Sequence, residues 1–220
     1  MNHTVESQSL VITEIYRSVQ GESSYAGLPC TFVRLTGCPL RCRWCDTVYG
    51  FEGGQERSIG ELVDDIKALG VPLVEITGGE PLAQKNTVGL MKALIEAGFQ
   101  VICETGGSEP VEGVPPEVTL IMDLKCPGSG MADRNLWENL NHLKPSDEIK
   151  FVIANRDDFD WACHVISRHD LTSRFHCLMS VAFGLLAPAE LVDWILDADI
   201  NVRLNLQQHK YIWSPKKKGV

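Results

Sequence analysis

Short apolar runs rich in β-branched residues recur along the chain, and amphipathic segments separate them. This alternation limits the fold more than any other feature. The runs are CTFVRLTG, LVEITG, QVICETG, VTLIMDLK, DEIKFVIA, RFHCLMSV and NVRLNLQQ, preceded by a leading strand or arm, SLVITEIYRSV. Helix candidates lie between them. SIGELVDDIKALG opens on Ser58 with Glu61 three residues on, a reciprocal capping pair, and closes on Gly70. TVGLMKALIEAG repeats apolar residues at three-four spacing and stops at Gly98. NLWENLNHLK, DFDWACHVISRH and PAELVDWILDA follow. Pro188 suits a first helical turn, where a missing N–H costs nothing. Trp137, Trp161 and Trp194 fall at core spacing and are assigned to packing.

Strand alternating with helix predicts a mostly parallel sheet covered by helices. No G-x-G-x-x-G follows the first strand, so a dinucleotide fold has no positive sign. A closed eight-fold barrel takes about 250 residues. At 220 residues the chain falls short of that. The expectation is an α/β fold in one domain: an incomplete, open β/α barrel of about six parallel strands. Chemistry in such folds gathers at the carboxyl ends of the strands. TGCPLRCRWCDT, TGGEP, ETGG and DLKCPGSG all lie just after predicted strands and would face one mouth.

The net charge of −9 gives no global basic field to attract nucleic acid. The tail SPKKKGV is read as a solvated terminus. No apolar run approaches a membrane span, and MNHTVESQSL has no basic segment followed by an apolar core. A cytoplasmic, reducing setting follows, in which clustered cysteines point to metal or redox chemistry before disulfides. Cys38, Cys42 and Cys45 are three of 8 cysteines, and they fall within eight residues. Their C-x3-C-x2-C spacing lacks the second pair that a closed zinc site takes. Cys30, inside a predicted strand, reads as a small buried apolar residue, as do Cys126, Cys163 and Cys177. A cubane iron–sulfur cluster normally takes four thiolates. Three leave one iron open, the mark of a site that binds a substrate or cofactor.

C-x3-C-x-aromatic-C, with Trp44 as the aromatic, followed by ITGGEP at the next strand end, resembles the radical S-adenosylmethionine (SAM) superfamily. The resemblance implies a radical SAM type of partial barrel. It also implies a 4Fe-4S cluster on Cys38, Cys42 and Cys45, with SAM at the open iron. YRSVQGESSYAGLPCTFVRLTGCPLRCRWCDT, ETGG, DLKCPGSGM, DEIKFVI and LQQHKYIW extend it over nearly the whole chain, to the 7-carboxy-7-deazaguanine synthases of queuosine biosynthesis. That family converts 6-carboxy-5,6,7,8-tetrahydropterin to 7-carboxy-7-deazaguanine with loss of ammonia, assisted by Mg²⁺.

By this resemblance Val19, Gln20, Gly21, Arg34 and Thr77 contact the pterin substrate. Gly78, Gly79, Glu80, Asp123, Leu124 and Lys125 contact SAM, with Glu104 near its ribose and Ser180 in its shell. After Ser180, MSVAFG lacks the Gln-Pro of the family pattern. Thr47 matches the Mg²⁺ ligand, although on chemistry alone the carboxylate of Asp46 is the commoner choice. His209 and Lys210 match the family's ending by pattern. A flavodoxin-like electron donor and a homodimer are further implications. The rival readings are a glycyl-radical enzyme activase, which shares the cysteine loop, and a zinc-bound structural module without activity.

Overall fold

The computed structural model describes residues 8–220; most of the segment searched for a leader, residues 1–7, lies outside the described residues. Nine strands form one sheet in the order β3-β1-β2-β4-β5-β6-β7-β8-β9. They are β1 (Ser9–Val19), β2 (Pro29–Leu35), β3 (Gln55–Ser58), β4 (Leu73–Gly78), β5 (Gln100–Thr105), β6 (Thr119–Asp123), β7 (Glu148–Ile153), β8 (His176–Val181) and β9 (Arg203–Leu204). From β2 to β9 every neighbouring pair is parallel. β1 is antiparallel to β2 and to β3. Among the described residues no ladder joins β9 back to β3, so the sheet is open, as the strand count predicts.

The α-helices are α1 (Ile59–Leu69), α2 (Thr87–Glu96), α3 (Arg156–His169), α4 (Leu171–Arg174), α5 (Pro188–Ala198) and α6 (His209–Ile212). At α1 Ser58 and Glu61 form the reciprocal cap, and Gly70 ends the helix at φ 68°, in the left-handed region open to glycine. NLWENLNHLK departs from expectation: only a 3₁₀ turn forms, at Trp137–Asn141. The flanking asparagines are committed elsewhere. Asn139 brackets the backbone of Gly107, Glu109 and Val111, and Asn135 both donates to and accepts from the backbone of Lys125. Trp137 is half-exposed and stacks on the His169 imidazole instead of entering the core. No helix among the described residues is long and apolar enough to cross a membrane.

Strand residues alternate between the two faces of the sheet. On β4, Val74 and Ile76 join Leu62, Ile66, Leu90 and Leu94 in the core under α1 and α2. On β7, Ile149, Phe151 and Ile153 meet Phe159, Ala162 and Ile166 of α3. The opposite face carries a small apolar layer, Cys30, Phe32, Leu73, Ile102, Ile121 and Leu178. At the same period of two, the inner face then turns polar: Arg34 on β2, Glu75 and Thr77 on β4, Glu104 on β5, Asp123 on β6, Lys150 on β7 and Ser180 on β8. Because β1 runs opposite to the parallel strands, the loop after it folds under their amino ends. There Ser24 bonds Glu148 and Tyr25 bonds Thr119.

Candidate active site

The inner face and the loops at the carboxyl ends enclose a cavity of about 840 Å³. All the site residues read from the sequence line it except Glu80 and Leu124. Leu124 belongs to the core beneath α3. Glu80 is fully buried behind the wall, where its carboxylate accepts from Thr105 Oγ1 at 2.8 Å and Gly106 N at 2.7 Å. It shapes the ETGG turn from behind. Sequence reasoning passed over Glu22, Glu75 and Lys150, which also line the cavity. A period-of-two reading along LVEIT and EIKFVI would have found the last two. The tail lysines 216–218 are exposed, as expected, yet they run along the rim, with Lys218 Nζ 3.9 Å from the centre of the Tyr49 ring.

Cys38, Cys42 and Cys45 are all free and partly exposed on one side of the cavity. Burial pushes all three thiols above the ordinary cysteine value, so ligation would release their protons. Among the described residues no three His, Cys, Asp or Glu side chains converge on a single ion position. Three thiolates suit a soft metal centre. Backbone contacts bring the TGGEP turn against the cysteine loop: Glu80 N donates to Gly37 O at 2.9 Å, and a Cβ on Gly79 would lie 2.1 Å from that same oxygen. Gly78 adopts φ 138°. Close to Cys42, Asp123 Oδ2 pairs with Lys125 at 2.9 Å, while Oδ1 is buried without a partner among the described residues. An orphaned carboxylate oxygen near a thiol cluster fits a polar cofactor such as SAM.

Thr47 Oγ1 donates to Asp46 Oδ1 at 2.9 Å, leaving its own lone pairs free. Burial raises the Asp46 carboxyl, but Lys210 at 2.7 Å overrides it and holds the group far below the usual carboxylate range. Arg34 donates Nε to Glu14 at 2.7 Å and Nη2 to Tyr16 at 3.0 Å. Its end-on edge, which carries Nη1, keeps N–H groups for an anion.

On the floor Lys150 bridges Glu22, at 3.0 Å, and Glu104. Desolvation opposes ionisation of Glu22. Lys150 and the Gln207 amide outweigh it and bring the carboxyl below its ordinary value. Glu104 shares the same lysine and is pushed up, first by burial. Glu22 also accepts from Asn205 at 3.2 Å. The carboxyl-terminal segment closes on this floor: Gln208 N donates to Gly21 O at 2.9 Å, and His209 sits where a Gly21 Cβ would be, 2.4 Å from Nδ1.

An open parallel sheet with a three-thiol loop and a glycine turn at its carboxyl edge defines a radical SAM enzyme. The family model described as "Radical SAM superfamily" matches residues 32–121. A 7-carboxy-7-deazaguanine synthase from Koribacter versatilis is 46% identical, over 95% of this chain and 99% of its own length. One from Chlorobaculum tepidum is 43% identical, over 96% and 97%. The crystal structure of QueE from Escherichia coli superposes with a TM-score of 0.76 at 23% identity, covering 91% of this chain and 95% of that one, and shows the same fold. The chain belongs to the 7-carboxy-7-deazaguanine synthase family, whose cofactors include a 4Fe-4S cluster and SAM.

Proposed function

We propose that this chain converts 6-carboxy-5,6,7,8-tetrahydropterin to 7-carboxy-7-deazaguanine with release of ammonia, in queuosine or related 7-deazapurine biosynthesis. The observation that carries the reading is the gathering of the three thiols, the glycine turn, Arg34 and the Glu22–Lys150–Glu104 floor around one cavity. A cavity of about 840 Å³ has room for a pterin beside SAM, which favours a small-molecule substrate over the protein target of a glycyl-radical activase. Cys38, Cys42 and Cys45 hold the cluster, and Gly78, Gly79, Asp123 and Lys125 cradle SAM. Held by these residues and reduced by a flavodoxin-like donor, the cluster and SAM would supply one-electron chemistry for hydrogen removal at C6 of the substrate.

The protein's own residues bind, orient and exclude water. Arg34 offers its free edge to the substrate carboxylate, a charge-assisted contact. Thr47 holds Mg²⁺ with a hydroxyl oxygen, the hard donor that ion prefers. Thr77, Val19, Gln20 and Gly21 fix the plane of the pterin, and the buried Lys150 keeps Glu22 aligned beside it and Glu104 toward the SAM ribose. Anaerobic turnover of 6-carboxytetrahydropterin with SAM and Mg²⁺, read by mass spectrometry, is expected to give 7-carboxy-7-deazaguanine. Cys42→Ala is expected to lose both iron and turnover. Wild-type protein with a full cluster that forms no deazaguanine, or a Cys42→Ala variant that still does, refutes the reading.

A further inference from the structure

Glu75 has no part in the sites read from the sequence, yet it stands in the cavity. It lies on the inner face of β4, two residues below Thr77, with Phe32 as its ladder neighbour on β2. The residue is only 2% exposed. Oε2 accepts from the Gln20 side-chain amide, and Gln20 Oε1 in turn accepts from Glu22 N at 2.7 Å. Among the described residues Oε1 of Glu75 has no hydrogen-bond partner and Glu75 has no ion pair. The neighbouring cations are already engaged, Lys150 by Glu22 and Glu104, and Arg34 by Glu14. A buried, half-satisfied carboxyl on a cavity floor is a ligand contact awaiting its ligand.

We propose that Glu75 is a further substrate-binding residue: one oxygen locks the Gln20 amide, and the other, as a neutral hydroxyl, donates to the 4-oxo group on the pyrimidinone edge of the bound pterin. This rests on the substrate reading above. The orientation follows from the reaction. C6 must face the thiol loop at the carboxyl ends of the strands, so the unreactive pyrimidinone ring points down the lumen. Glu75 lies there, one inner-face step deeper than Thr77. Burial, reinforced by the negative charges of Glu104 and Glu22, pushes its carboxyl well above the ordinary value, in keeping with a donor. The hydroxyl form also spares the floor a third negative charge around one lysine.

The test is equilibrium binding of 6-carboxytetrahydropterin to anaerobic holoenzyme containing SAM and Mg²⁺, with kcat and KM alongside. Glu75→Leu, close in size but unable to donate, is expected to weaken binding roughly tenfold, the worth of a well-made hydrogen bond. Its cluster absorbance and SAM affinity stay at wild-type levels. Glu75→Gln still offers a carbonyl to Gln20 and an N–H to the ligand, so its affinity is expected to stay within about threefold. A ligand-side arm needs only the wild type: the analogue lacking the 4-oxo group is expected to bind roughly tenfold more weakly. Equal binding of that analogue, wild-type affinity in Glu75→Leu, or a Glu75→Gln variant as weak as Glu75→Leu overturns the assignment. Failure of wild-type holoenzyme to bind or convert the pterin overturns the substrate reading, and this assignment with it. Wild-type turnover with unaffected variants overturns the role of Glu75 alone.

Discussion

Lys150→Met keeps the side chain's length and removes its charge, leaving the buried Glu22 and the half-buried Glu104 without their shared cation. The lysine side chain is 7% exposed, that of Glu22 12% and that of Glu104 22%. Removing one partner of a buried ion pair costs about 3–5 kcal/mol, because the remaining charge is stranded in a medium that solvates it poorly. Two features place the cost near the low end. Glu22 keeps its bonds from Asn205 and Gln207, and Glu104 retains some contact with the cavity. The expected loss is about 3 kcal/mol, a large share of the roughly 5–15 kcal/mol by which domains are stable. For a chain of this size it corresponds to a fall in Tm of roughly 6–12 °C. Urea melts of wild type, Lys150→Met, Glu104→Gln and the double variant form a cycle. Removing the stranded charge of Glu104 is expected to return at least about 1 kcal/mol, so the single effects do not add. A loss below about 1 kcal/mol for Lys150→Met, or strict additivity, refutes the view of this lysine as the electrostatic hub of the floor.

Gly21→Ala is expected to expel the His209 ring, since the new Cβ would lie 2.4 Å from Nδ1 and 3.2 Å from the backbone nitrogen. Urea melts should show a loss of about 1–3 kcal/mol, typical of overpacking, largely relieved when His209→Ala is added. Gly128→Ala would press on Asp158, whose Oδ1 holds the Gly128 N–H at 2.7 Å. Arg43 N bonds Ser129 O in the same turn, so iron per chain after reconstitution is expected to fall. The raised carboxyl of Glu75 gives a pH dependence of definite sign. Its contribution to stability is full below its unfolded value near 4.5 and is lost as pH rises through the higher folded value. Glu75→Gln should therefore gain on wild type from about pH 4.5 upward, by at most about 1.4 kcal/mol per pH unit; a constant difference across that range refutes the assigned shift.

The parallel strands and their connecting helices were legible because each strand is an apolar run with a turn residue after it. Other elements were not. β3, QERS, has no apolar alternation to announce it; it forms because β1 presents an unpaired edge. The turn at Trp137–Asn141 carries a helical pattern, but Asn135 and Asn139 spend their amides on the DLK and ETGG loops, contacts that no local pattern encodes. Within the cavity, residues at strand ends were legible through their motifs. Glu75 and Lys150 sit mid-strand and look, letter by letter, like ordinary members of a run. The approach of His209 to Gly21 spans nearly the whole chain and has no local signature.

The sheet's lack of closure has a mechanical consequence. Where β9 ends, the circuit is completed by amide side chains: Asn205 reaches Ser23, Ser180 and Glu22, while Gln207 touches Glu22 and Asp46. Each such link is worth about 0.5–1.5 kcal/mol and can break singly, whereas a ladder yields only as a strand. The vessel thus has a stitched seam in place of a continuous wall, and the stitches pass through the residues that grip Lys150. Loosening the seam slackens the floor, so widening the chamber and relaxing its hold on the contents become a single motion.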